Sequence, residues 1–436
     1  MYSLLVRNAR IAQPDGSVHE SDLACERGLI AKIGPSLDAQ ADEMIDAGGK
    51  LLLPGTIDPQ VHFREPGAPH KEDLASGSRA AVKGGVTSFL EMPNTNPPTI
   101  NQKALNDKLA SARRKCVANY GFFIGATPNN LHEINTASPV CGIKIFMGAS
   151  TGDLLVHDPQ DLERIFANGD RLIAVHAEDE ERIRERRALF ADDTDPAVHS
   201  KIRDNQCAAL ATELALTLST RYERRLHILH LSTHDEVEQL QNHKPSWVTA
   251  EAIPNHLYLN VEHYAKQGTL VQMNPPLRQP EDTAALWQAL HDGVIDFIAT
   301  DHAPHSVEEK KQRYPRSPSG MPGVETSLPL MLTHMKAGKC TLAELQKWMC
   351  WGPAQAYQIA NKGKIIEGWD ADLTLVDIDT VRPARNEDMF TKAGWTPYDG
   401  WPLTGWPIYT IVGGCIAFDQ GSIRDNVRGQ ALNFTT

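Results

Sequence analysis

From Thr56 to Thr300, short apolar runs recur with stretches of helical character between them. The runs fall at 56–62, 86–92, 117–124, 142–148, 171–176, 225–231, 247–251, 269–273 and 294–300. Apolar runs of this length, bounded by turn signals, read as buried strands. Strands that alternate with helices read as βαβ units around a parallel sheet. The pattern therefore predicts an α/β chain whose body is a (β/α)8 TIM-type barrel. Eight runs follow the first, one more than a barrel needs, and 269–273 has the weakest pattern. Leu210, Leu214 and Leu218 recur every fourth residue and predict a helix face packed on the barrel.

The flanks follow a different grammar. Residues 3–12, 21–26 and 29–33 read as strands, with Gly28 at the turn between the last two. Strand signals return at Asp372–Asp377 and Tyr409–Phe418. The predicted division is 1–54 for the amino-terminal part of a small β domain and 55–345 for the barrel. Residues 346–436 supply a helix and further strands, which the family resemblance given below assigns to the same β domain. The stretch from His305 to Gly323 reads as a long loop, and long loops in compact domains are often functional.

The net charge of −12 and the lack of a basic stripe argue against nucleic acid as a partner. They do not exclude an anionic substrate, because a few local arginines outweigh a global field. Seven scattered cysteines, without a Cys-x-x-Cys, read as reduced buried thiols of a cytoplasmic protein. No signal-peptide core and no run of ~20 apolar residues is present, so no membrane span is expected. A homodimer is the default assembly, since two-fold pairs are commonest. Trp395, Trp401 and Trp406 cluster with prolines, either to pack the β domain on the barrel or to line an interface.

Five polar residues stand at or inside strand ends. These are His62, Lys144 within Gly142-Ile-Lys-Ile-Phe146, His176, His230 and Asp301. Barrel enzymes build their sites at the carboxyl ends of the strands. Each residue has a bland reading. A lone strand-end histidine is more often a hydrogen-bonded structural one, as expected of His70, His157, His199, His243 and His334. Asp301 could cap a turn. Period-two geometry puts His230 on one strand face with Ile228 and Leu226, and His227 on the other. An ammonium in an apolar strand is costly to desolvate unless it is paired or reaches water. Desolvation also lowers a lysine's pKa, and a neutral amine can take up CO2 as a carbamate, an anionic oxygen ligand. Imidazoles with carboxylate oxygens suit Zn²⁺.

Several strings resemble the motifs of the dihydroorotases, a family of cyclic amidohydrolases. They are Gln60-Val-His-Phe-Arg-Glu-Pro-Gly67, Glu91-Met-Pro-Asn-Thr95, Gly142-Ile-Lys-Ile-Phe146, Leu226-His-Ile-Leu-His-Leu-Ser-Thr233, Asn274-Pro-Pro-Leu-Arg278 and Ala299-Thr-Asp-His-Ala-Pro-His305. They occur in the family's order, and the resemblance extends over nearly the whole chain. It implies that the two chain ends pair into one β domain. It implies that His62 and Asp301 hold one metal and His176 and His230 a second, with a carbamate on Lys144 bridging. Asp153 is the alternative bridge. Arg64, Asn94, Asn274 and His305 would bind substrate, with backbone groups near Ser319 and Gly320 closing over it.

The implied reaction is the zinc-dependent, reversible cyclisation of N-carbamoyl-L-aspartate to L-dihydroorotate in pyrimidine biosynthesis, with Asp301 as general acid–base. Gln60 stands where the family usually has histidine. An amide oxygen is a poorer Zn²⁺ donor, so one ion or two is left open. Two other readings stay open here. One is a sister amidohydrolase, such as a dihydropyrimidinase, hydantoinase or allantoinase. The other is a non-catalytic subunit that supports aspartate transcarbamoylase.

Overall fold

The computed structural model describes residues 1–149 and 154–435. Eight parallel staves form the centre of the molecule. They are Thr56–Val61, Val86–Glu91, Asn119–Phe122 with its continuation Ile124–Gly125, Ile143–Phe146, Ile173–His176, Leu226–Ile228, Val248–Ala252 and Phe297–Ile298. The last stave returns to the first. His62 N donates to His302 O at 2.8 Å, and the buried Asp58 carboxylate accepts from Thr300 N at 3.1 Å. The sheet is therefore a closed barrel, and it has the (β/α)8 architecture that the alternation predicts.

The extra run is resolved. Residues 268–271 form a 3-10 turn, Gly268–Val271, and add no stave. A short apolar run cannot be assigned to strand by its composition alone. The leucine face on Asn205–Tyr222 also needs correction. Leu218 is buried, but Leu210 is 43% exposed. Steps of four advance 400° around a helix of 3.6 residues per turn, so the row drifts off the buried face. The face that packs is made instead of small residues, including Ala208, Ala211, Thr212, Ala215 and Ser219.

A second sheet has nine strands and is drawn from both chain ends. Leu51–Pro54 lies at its middle. It pairs parallel to Tyr2–Ala12 and antiparallel to Leu373–Asp377. Leu4, Val6, Ile11, Leu52, Leu373, Leu375 and Ile411 form its core. The three tryptophans join a separate cluster with Ile253, Leu259, Met273 and Ala299, packing the 384–406 segment on loops above the barrel. All seven cysteines are free, and six are buried. Among the described residues, no helix is long and apolar enough to cross a membrane.

Candidate active site

Strand alternation delivers most of the site. In Ile143–Phe146, Ile143 and Ile145 join the outer cluster that includes Leu162 and Ile165 of the helix Pro159–Phe166. Lys144 and Phe146 therefore turn inward. In Ile173–His176 the same logic turns Ile173 and Val175 out and His176 in. His230 departs from the rule. Leu226 and Ile228 belong to the outer cluster, so strict alternation would send His230 outward with them. The strand ends at Ile228, and His230 takes φ +38°, which breaks the parity and swings its ring into the barrel mouth. Arg64 (φ +61°) and Asp301 (φ +46°) adopt the same left-handed backbone. Such conformations are rare outside glycine, and they cluster where a site imposes them.

One polar cavity is lined by Gln60, His62, Arg64, Asn94, Lys144, Phe146, His176, His230, Asn274, Asp301, Ala303, Ser319 and Gly320. Every residue expected at the site is present except two. His305 lies behind Arg64. Asp153 lies outside the described residues. A larger cavity of about 620 Å³ adjoins the terminal sheet, but its Lys362 is bound to Asp370 and Asp372 and its Arg424 to Asp419 and Glu43.

The titratable groups form two pairs. His62 Nδ1 lies 2.8 Å from Asn94 Oδ1, and its Nε2 is 3.1 Å from Asp301 Oδ1. With Nδ1–H donated to Asn94, Nε2 turns a lone pair towards a carboxylate oxygen, a contact that needs a proton or a cation. His176 Nε2 is 2.8 Å from Glu178 Oε2, and its Nδ1 is 3.0 Å from His230 Nε2. A carboxylate that fixes an imidazole in this way is the usual support for a metal-ligating histidine. Among the described residues, His230 Nδ1 is buried without a partner. Burial pushes the pKa of all three histidines down, so they are neutral at pH 7. Burial alone would raise Glu178, but Arg203, His176 and Arg278 outweigh it and hold the carboxyl down at about 2.

Lys144 couples electrostatically to both pairs. It is 1% exposed, and no ion pair or hydrogen bond holds it among the described residues; its Nζ lies 4.5 Å from the Phe146 ring centroid. Burial lowers its pKa to about 7, against the pull of Asp301 and Glu251. Among the described residues, no three His, Cys, Asp or Glu side chains form a ligating group by themselves. The donor set is two pairs with a readily neutralised amine coupled to both, which fits metal binding once that amine supplies an oxygen donor. Gln60 does not present its oxygen to this set. Its Nε2 donates to Asp301 Oδ1 at 3.2 Å, and its buried Oε1 has no partner among the described residues.

The far end of the cavity is cationic. Arg64 Nε donates to Pro304 O at 3.2 Å, and Nη2 lies 3.2 Å from His305 Nε2. His305 Nδ1 faces Lys71 Nζ at 3.0 Å, while Nε2 is 3.1 Å from Ser319 O. A neutral ring that accepts from Lys71 must donate from Nε2 to Ser319, which leaves Arg64 Nη2 without an acceptor in His305. Burial drives the His305 pKa well down, reinforced by Arg64, Lys71 and Lys310. No carboxylate pairs with the buried guanidinium of Arg64 among the described residues. Trp395 Nε1 donates to His305 O at 2.9 Å and holds this end in place. Gly320 (φ +137°) comes so close to Ala303 that a Cβ would meet its carbonyl oxygen at 2.4 Å.

Some residues of the site carried no clear signal in the sequence. Glu178, two residues after His176, is the one that spacing could have revealed. Arg203 follows the short helix Val198–Ile202, Lys71 lies in the turn after Arg64, and Lys310 ends the short helix Val307–Lys310. His199, expected to be structural, is hydrogen-bonded as predicted, but its partner is Asn274 Oδ1 at 2.8 Å.

Residues 51–417 match the amidohydrolase family. The fold is shared with L-hydantoinase (dihydropyrimidinase) from Arthrobacter aurescens at a TM-score of 0.93, with 30% identity over 99% of this chain and 100% of that one. Dihydropyrimidinase from Brevibacillus agri gives a TM-score of 0.90 at 25% identity, covering 99% and 98% of the two chains. The chain belongs to the amidohydrolase family, a family of enzymes, and its full-length relatives place it among the dihydroorotases. The dihydroorotase of Methanosarcina mazei is 37% identical over 97% of this chain and 96% of its own length. That of Methanothermobacter thermautotrophicus is 34% identical over 97% and 96%.

Proposed function

We propose that the chain catalyses the reversible cyclisation of N-carbamoyl-L-aspartate to L-dihydroorotate in pyrimidine biosynthesis. The carrying observation is Arg64, a buried guanidinium that opens on the cavity with no carboxylate partner among the described residues. A buried cation left unpaired is costly, so the ligand that belongs there brings an anion. A planar guanidinium suits the exocyclic carboxylate of dihydroorotate. Hydantoins and dihydropyrimidines, the substrates suggested by the names of the structural neighbours, have no carboxylate at that position. The hydantoinase reading, favoured by overall fold, therefore meets the wrong charge at Arg64.

His62 and Asp301 would hold one zinc ion, with His176 and His230 holding a second. Lys144, as its carbamate, would bridge them, and Asp153 is the alternative. When bound, zinc lowers the pKa of a water and polarises the substrate carbonyl. Asp301 takes the water's proton and delivers it to the departing ring nitrogen. Arg64 orients the carboxylate, Asn94 steadies the His62 ring, and Asn274, Ser319 and Gly320 wall the ring in. The convergence of these groups in one cavity supports an active enzyme over a non-catalytic partner of aspartate transcarbamoylase. The barrel, taken as 55–345, carries all of them, and the free buried thiols fit a cytoplasmic location. A homodimer remains the expected assembly.

One experiment tests the reading. Purified protein is assayed against L-dihydroorotate, hydantoin and dihydrouracil, with metal content and native mass measured on the same sample. Turnover of L-dihydroorotate alone, bound zinc and about 44 Da of added mass are expected. Preference for an uncharged ring would overturn the substrate, and zinc-free activity would overturn the metal.

A further inference from the structure

Lys310 is 0% exposed, and no acidic side chain pairs with it among the described residues. Its Nζ donates to two main-chain carbonyls, Gln272 O at 2.7 Å and Pro318 O at 2.9 Å. These belong to two different loops, and both loops reach the cavity. Gln272 O also accepts from Gly320 N at 2.9 Å, and Gln272 Nε2 donates to Ser317 O at 2.9 Å and to Ser319 Oγ at 3.2 Å. Two residues beyond Gln272 is Asn274. The amine thus fastens the segments that present Asn274, Ser319 and Gly320.

A buried carbonyl left without a donor is costly, so the Lys310 amine is what holds these two loops together. We propose that Lys310 is a positioning residue: by tying the two loops at the closed end of the cavity it holds Asn274, Ser319 and Gly320 in place around the substrate ring. The inference rests on the dihydroorotase reading. Burial and Arg64 both push the Lys310 pKa well down, and two carbonyl bonds need no more than a neutral amine donor.

The test uses the full chain with Lys310→Met, which removes the donors, and Lys310→Gln, which keeps a donor. KM and kcat for L-dihydroorotate and the thermal midpoint are measured for each. Both variants are expected to raise KM, Lys310→Met at least tenfold and Lys310→Gln less, with kcat within about threefold of the parent. If Lys310→Met fails to fold, Lys310→Gln alone decides. An unchanged KM in the folded variants overturns the assignment. A parallel fall in kcat and thermal midpoint also overturns it, because it marks a purely structural role. A parent that does not turn over L-dihydroorotate brings down the underlying reading and this inference with it; an active parent beside an unaffected variant removes only the role of Lys310.

Discussion

Gln60 Nε2 donates to Asp301 Oδ1 at 3.2 Å, so the amide holds the carboxylate by its N–H side and, among the described residues, leaves its own oxygen unpartnered. On the proposed zinc reading, this geometry makes the His62–Asp301 end the weaker position. Replacing Gln60 with histidine adds a nitrogen donor there. Gln60→His is expected to raise the metal content by about one ion per chain, read by elemental analysis after dialysis. An unchanged content would show that Gln60 does not limit the second ion.

Asp301→Asn keeps size and hydrogen bonding but removes the proton acceptor. The expected loss in kcat is roughly 10²–10⁴-fold, the usual range for general acid–base catalysis. Binding of L-dihydroorotate, measured by calorimetry, should persist. Near-parental turnover would remove Asp301 from its role.

Arg64→Met deletes a charge-assisted contact worth about 1.5–3 kcal/mol. KM for L-dihydroorotate should rise ~10- to 150-fold, more than kcat falls. A KM that does not move would put the substrate carboxylate elsewhere.

His334 stacks on Trp287 with ring centroids 3.9 Å apart, and burial lowers its pKa to about 4. An unfolded histidine titrates near 6.5. Between these values the unfolded chain binds the extra proton, so stability falls as pH drops from about 6.5 to about 4 and is flat above. His334→Phe keeps the stack and cannot titrate. Urea midpoints of parent and variant should run parallel above pH 7 and diverge below, with the parent losing more. Parallel curves throughout would contradict the depressed pKa.

Much of this was legible in the chain. Alternating runs give the barrel because a stave buried on both faces must be apolar throughout. Lys144 stands out because an ammonium has no ordinary place in such a stave. The route of His230 into the site was not legible, since it depends on one left-handed residue beyond the strand and not on period two. Run 269–273 misleads because a half-buried 3-10 turn and a short strand can share a composition. Arg203, Lys71 and Lys310 could not be assigned to the site, because their neighbours are brought close only by the closed barrel and its loops.

The central strand of the terminal sheet also bears on how the protein is made. Leu51–Pro54 receives its antiparallel neighbour, Leu373–Asp377, roughly 300 residues later in the chain. At ~5–20 residues per second, a ribosome takes about 15 s to a minute to cover that distance. Throughout that interval an apolar strand stands with one row of amides and carbonyls open, beside staves that are still emerging. The finished protein conceals this edge, whereas the half-made chain displays it, so the burden of avoiding aggregation falls on synthesis and not on the mature fold.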